Sequence, residues 1–107
     1  ENFSHRRFRR IRPSFEFEED SNAAQLRQFC ESLCEQVLAD PRSTKREDSW
    51  VRVTETLPSK ITVSTNFYCA SSGRTQREFT EDILLMARAR GNESGLVFHE
   101  PRRRAQM

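Results

Sequence analysis

The sequence predicts one α+β domain, in which two amphipathic helices cover one face of a small antiparallel sheet. Two segments repeat apolar residues every three or four positions, and others alternate apolar with polar residues and are rich in β-branched and aromatic side chains. A chain of 107 residues has room for one core and no more. Apolar residues make up only 35% and charged residues 32%, yet the apolar positions are grouped, and eight Phe exceed what a solvated, disordered chain carries.

The elements follow in chain order. Residues 1–12, ENFSHRRFRRIR, read as a basic arm that Pro13 closes, with Phe3, Phe8 and Ile11 interleaved but no periodicity. Ser14 to Glu18 alternates, so Phe15 and Phe17 face a core. Asn22 and Gln25 stand at capping-box spacing ahead of a helix whose stripe is Leu26, Phe29, Cys30, Leu33 and Val37. Asp40-Pro41 ends it, because a residue before proline is pushed out of the helical region. Residues 41–49 form a polar loop.

Trp50 to Glu55 and Lys60 to Tyr68 are two strands of a hairpin joined through Thr56-Leu57-Pro58-Ser59. Ile61, Val63, Thr65 and Phe67 share one face of the second strand; Thr62, Ser64, Asn66 and Tyr68 share a wet face. After a turn at 70–74, Thr75 and Glu78 make a capping box for a second helix with Phe79, Ile83, Met86 and Ala87 inward. Gly91-Asn92 ends that helix, and Leu96-Val97-Phe98 supplies a last short strand.

This βαββαβ order is the ferredoxin-like one, two helices on one face of a three- or four-stranded antiparallel sheet. Without its two short outer strands it reduces to α-β-β-α. The chain therefore divides into a basic arm (1–12), a single α+β domain (13–100) and a basic tail (101–107).

Charge follows the same division. Five Arg against Glu1 give the arm +4, three Arg give the tail +3, and the body between them carries −5. Neither signal-peptide pattern nor a run of about 20 apolar residues occurs. Three cysteines, an odd number, are not a disulfide framework, and Cys30 and Cys34 lie one helical turn apart. They read as small reduced apolar groups of a cytoplasmic or nuclear protein; two chance-prone glycosylation tripeptides, at Asn2 and Asn92, point the other way.

Catalytic chemistry finds little to work with. Two histidines, His5 and His99, lie beside no nucleophile, and three glycines cannot build a phosphate-cradling loop. Cys30, Cys34, Cys69 and His99 lack the paired spacing of a zinc site. The expectation is a non-catalytic module without cofactor or metal.

Its business is then recognition of a protein partner or of a second copy, with no membrane contact. Trp50, Arg52 and Tyr68 are the richest contact candidates, since Trp, Tyr and Arg dominate interface hot spots. The arm residues Arg6, Arg7, Arg9, Arg10 and Arg12, with Arg102, Arg103 and Arg104 of the tail, would add attraction to an acidic partner. Leu38, Leu84 and Leu85 fall off the helical stripes as a further apolar patch. The alternative is an RNA-binding domain using the same Arg-rich tails on phosphates. Against it stand an acidic body and a wet strand face with one aromatic, Tyr68.

Overall fold

A computed structural model describes residues 8–70 and 72–99 of the chain. It contains strands β1 (Phe8–Ile11), β2 (Ser14–Glu18), β3 (Ser43–Thr44), β4 (Trp50–Thr56) and β5 (Lys60–Ala70), and helices α1 (Ala23–Ala39) and α2 (Gly73–Glu93). This is the α+β class, two helices and an antiparallel sheet. The order of elements, however, is ββαβββα. The expected last strand is reduced to one bridge, Phe17 to Phe98, flanked by backbone bonds from Glu18 N to Val97 O and from His99 N to Glu16 O.

All four other strands pair with β5. On one side Ile11 faces Phe67 and Ser14 faces Ser64, three residues further along both chains, so β1 and β2 keep a single register. They are one long strand interrupted at Arg12-Pro13, where proline has no N–H to donate. The Thr65 hydroxyl donates instead to the Pro13 carbonyl at 2.6 Å, holding the break against β5. On the other side β3 pairs at Cys69 and Tyr68, and β4 runs from Trp50 opposite Asn66 to Thr56 opposite Ile61. A bulge between Val53 and Glu55 leaves Thr54 extra, its hydroxyl 2.7 Å from that of Ser64.

The segment Phe8–Ile11, expected as part of a basic arm outside the fold, is therefore part of the sheet. Four residues are too few to display a period; what recruits them is the register they inherit from β2. Ile11 is 3% exposed and belongs to the core. Arg6, Arg7, Arg102, Arg103 and Arg104 lie outside the described residues.

Alternation along β5 sorts the molecule into two sides. Ile61, Val63, Phe67 and Cys69 join Phe15, Phe17 and both helices in one core. The inward residues of α1 are the five that its periodicity marks, Leu26, Phe29, Cys30, Leu33 and Val37. Phe29 meets Phe17 edge-on at 5.0 Å between ring centres, a favoured arrangement. Asn22 caps α1 as expected, its side-chain oxygen accepting from Ala24 N and Gln25 N. Leu38 packs against the core rather than facing out, whereas Leu84 and Leu85 are exposed.

Helix α2 differs from expectation at both ends. Its cap is Ser72, whose hydroxyl accepts from Thr75 N, so the helix starts two residues before Thr75. Gly91 does not end it; the left-handed residue is Gly95, with φ +80°. Gly91 is buried inside the helix because the Phe98 ring rests on it, and an added Cβ would stand 2.8 Å from that ring. Arg42, between α1 and β3, clamps the helices. It forks onto Asp40 at 2.9 and 2.7 Å, reaches Asp82 of α2 at 2.9 Å and lies 4.5 Å over the Phe79 ring.

Two outcomes are expected. Gly91→Ala forces Phe98 off α2 and costs about 1–3 kcal/mol in urea unfolding, the usual range for an overpacked site. An unchanged midpoint would show that the 96–99 segment is not seated there. Separately, the Arg42 side chain holds the Asp40 carboxyl below its ordinary 3.8, against the opposing effect of burial, with help from the Arg42 backbone N–H. A lowered folded-state value means stability that is present above pH 3.8 and lost as pH falls through it. Arg42→Ala should cost about 1 kcal/mol at neutral pH, the pair being partly exposed, and the gap to the parent should narrow below that pH. A gap constant down to pH 2.5 would refute the assignment.

Candidate functional site: the uncovered sheet face

The even-numbered side of β5 carries no helix. Because pairing aligns side chains across strands, each row of this face can be read off the register. Lys60 stands beside Glu18; Thr62 stands between Glu16 and Glu55; Ser64 lies between Ser14 and Arg52. Asn66 lies beside Trp50, Tyr68 between Arg10 and Thr44, and Ala70 beside Phe8. Arg12, between Arg10 and Ser14, lines the same hollow as both, together with Trp50 and Asn66.

Five residues that sequence reasoning nominated separately are thus neighbours: Arg10, Arg12, Trp50, Arg52 and Tyr68. Arg9 is not among them. It pairs opposite Cys69 and turns to α2, where its guanidinium donates to the Gln76 side chain at 3.3 Å. Two residues were missed. Phe8 meets Tyr68 edge-on at 5.5 Å, and Lys45 sits 4.6 Å over the Phe8 ring and 5.6 Å from that of Tyr68. Lys45 has φ 48°, a left-handed conformation uncommon for a side-chain-bearing residue. Its pairing with the rings is visible only once residues 8–11 are placed in the sheet.

Tyr68 plays a supporting role. It is 8% exposed, under Phe8, Lys45 and Arg10, and its hydroxyl accepts from the Asn66 amide at 3.2 Å. That hydrogen bond, then one from Arg10, holds the phenol below its usual value. The Asn66 amide also donates to Asp48 O at 3.0 Å, which ties the loop before β4 to β5. Trp50 is half-buried with the Arg52 guanidinium 5.2 Å from its ring centre, and Arg10, Arg12 and Arg52 are exposed. At the opposite end the Lys60 ammonium lies 2.7 Å from the Glu16 carboxylate, and His99 lies 3.5 Å from Glu18. The face is basic and aromatic at one end, acidic at the other, and lined with hydroxyls between.

Among the described residues, no three or more His, Cys, Asp and Glu side chains cluster to hold a metal ion. Cys30, Cys34 and Cys69 are free thiols. Burial, then the charges of Cys34 and Glu31, pushes the Cys30 thiol up to about 11, and burial raises Cys34 and Cys69 as well. No helix among the described residues is long and apolar enough to cross a membrane.

Comparison with known proteins places the fold. No protein-family model matches the sequence, and no curated protein matches it. Solved structures do match: an α+β unit of the same architecture occurs within a longer chain, MSL1 of Arabidopsis thaliana, seen by cryo-EM. One MSL1 structure superposes with TM-score 0.79 at 13% identity, covering 94% of this chain and 36% of that one. A point variant of MSL1 gives 0.80 and 13%, covering 94% and 38%. A wild-type structure gives 0.79 and 14%, covering 94% and 35%. The likeness is one of fold, and the chain spans little more than a third of the MSL1 chains it matches.

The thiols yield a direct test. In the native protein at pH 7.5 a disulfide reagent should modify half-buried Cys34 first, with Cys30 and Cys69 reacting only on unfolding. Peptide mapping that finds Cys30 labelled first in the folded state would contradict the burial assigned to it.

Proposed function

We propose that the chain is a non-catalytic recognition domain that binds a protein partner, or a second copy, through the uncovered face of its sheet. One observation carries this reading: Trp50, Arg52, Arg10 and Arg12 gather on the single large face that neither helix covers. Trp and Arg are the side chains on which contact energy concentrates, and β5 fixes their spacing. The surrounding hydroxyls and charges give a polar rim of the kind that borders such contacts. The occurrence of the same fold inside longer MSL1 chains supports a place for this domain within a larger polypeptide or assembly. Three unpaired thiols fit a reducing compartment, the cytoplasm or nucleus.

A second reading, single-stranded nucleic acid, draws on the interleaved rings and cations of this face. The rings are engaged, however. Tyr68 is covered, Trp50 carries Arg52, and Phe8 carries Lys45. The same face also holds Glu16, Glu18 and Glu55, which repel phosphates.

Trp50 is the single tryptophan and reports on the face directly. Titration of the full chain with single-stranded RNA and DNA oligomers at about 150 mM salt should leave its emission and the probes' polarisation unchanged. Tight binding that fades steeply as salt rises would replace the protein reading with the nucleic-acid one.

A further inference from the structure

The charges of the open face have a symmetry along the β1–β2 strand. From one end to the other its outward residues read Arg10, Arg12, Ser14, Glu16 and Glu18, with sign reversing about Ser14. Of the intervening residues Ile11, Phe15 and Phe17 are buried and Pro13 is half-buried, so the five stand on one side at a spacing of about 6.7 Å. In the neighbouring strand β5, Ser64 lies directly opposite Ser14.

We infer that this face docks on the same face of a second copy, about a two-fold axis that crosses the strands at Ser14 and Ser64. The inference rests on the reading of the face as a protein-binding surface and names its partner. Rotation about such an axis inverts the strand direction while keeping each strand over its own mate. Arg10 then lies over Glu18 of the second copy and Arg12 over Glu16, and both pairs recur by symmetry. Hydroxyl meets hydroxyl where the axis crosses the first two strands, at Ser14 and Ser64, while Arg52 of β4 stands in the same row. Closed two-fold pairs are the commonest assembly, because one self-complementary patch suffices. Antiparallel sheets also pack face to face readily, with a rotation of about 30° between strand directions.

The other ligands of these groups sit within the chain and leave capacity free. Glu16 bonds Lys60 through one carboxylate oxygen, Oε2, and Arg12 is exposed. The like pair at the axis, Arg52 with its own mate, has Glu55 of the other copy one row away. In size, β5 is 11 residues long. About an axis at Ser64 the copies overlap over Lys60–Tyr68, about 30 Å, so three strands about 4.8 Å apart present about 400 Å² per copy, below the usual size of a specific contact, and the pair is weak and salt-sensitive.

The test is a charge swap on the full chain, read by sedimentation equilibrium at about 50 mM salt over a concentration series to about 1 mM. One variant is Arg10→Glu with Arg12→Glu; the other is Glu16→Arg with Glu18→Arg. Each alone presents one sign along the strand and should dissociate at least tenfold more readily than the parent. An equimolar mixture of the two should pair at least as well as the parent, and that recovery also shows that both variants are folded. Three results would overturn the proposal: a parent that stays monomeric throughout, variants that self-associate like the parent, or a mixture that fails to recover. If the parent is monomeric while oligonucleotides leave Trp50 unchanged, the face still reads as protein-binding but its partner is a different chain.

Discussion

Among the described residues every other strand hydrogen-bonds to β5, and through that strand the rest of the fold is held. The two flanking rails, β1 with β2 and β3 with β4, make no pairing with each other. Their relative positions exist only because both read the same eleven backbone positions of Lys60–Ala70. Antiparallel pairing locks register to within one residue, since a slip of one would turn every side chain to the wrong face. Val63, fully buried, would be driven toward water by such a slip, and the half-buried Ser64 into the core. The hydrophobic cost of that exchange fixes the rows of the open face as firmly as it fixes the core.

That dependence explains what was legible from residues alone. The stripe of α1, its Asn22 cap and its end at Pro41 could be read because they are local, encoded within one or two turns. So could the two faces of β5 over Lys60–Ser64, where burial alternates; beyond it Asn66 and Tyr68, expected on the wet face, are buried as well. Phe8–Ile11 was not legible as strand, since its order comes from a partner almost sixty residues away and from register carried across Pro13. The two-residue strand at Ser43 and the cap at Ser72 were hidden for a similar reason, each too short for a pattern. Gly91 misled because a glycine near a helix end most often provides a left-handed stop, whereas here its missing Cβ makes room for Phe98.

The open face was half legible. Residue chemistry nominated Trp50, Arg52, Tyr68, Arg10 and Arg12, and the rows of the sheet join them. Chemistry could not separate Tyr68, which is covered and braces the loop before β4, from Trp50, which keeps part of its ring exposed. Nor could it reveal Lys45, whose interest lies in where it lands. A lysine in a polar loop is ordinary until a left-handed backbone lays it over two rings.

A superposition with MSL1 at 13% identity shows that this backbone tolerates nearly complete replacement of its side chains. Such tolerance is expected of a core that asks mainly for apolar residues of suitable volume at alternating positions. The uncovered face answers to no such demand from the core. Apart from Asn66 and Tyr68, which are buried and brace the loop before β4, polar residues there are free of core packing, so their identities can serve what the domain meets. A random polar surface would mix its charges; this one sorts them along a single strand, cations before Ser14 and carboxylates after it. Segregation of that kind raises the repulsion within each end of the isolated chain, between Arg10 and Arg12 and between Glu16 and Glu18. Such repulsion is relieved when a surface of opposite polarity covers the face, and one with that polarity is supplied by the same strand in an inverted copy.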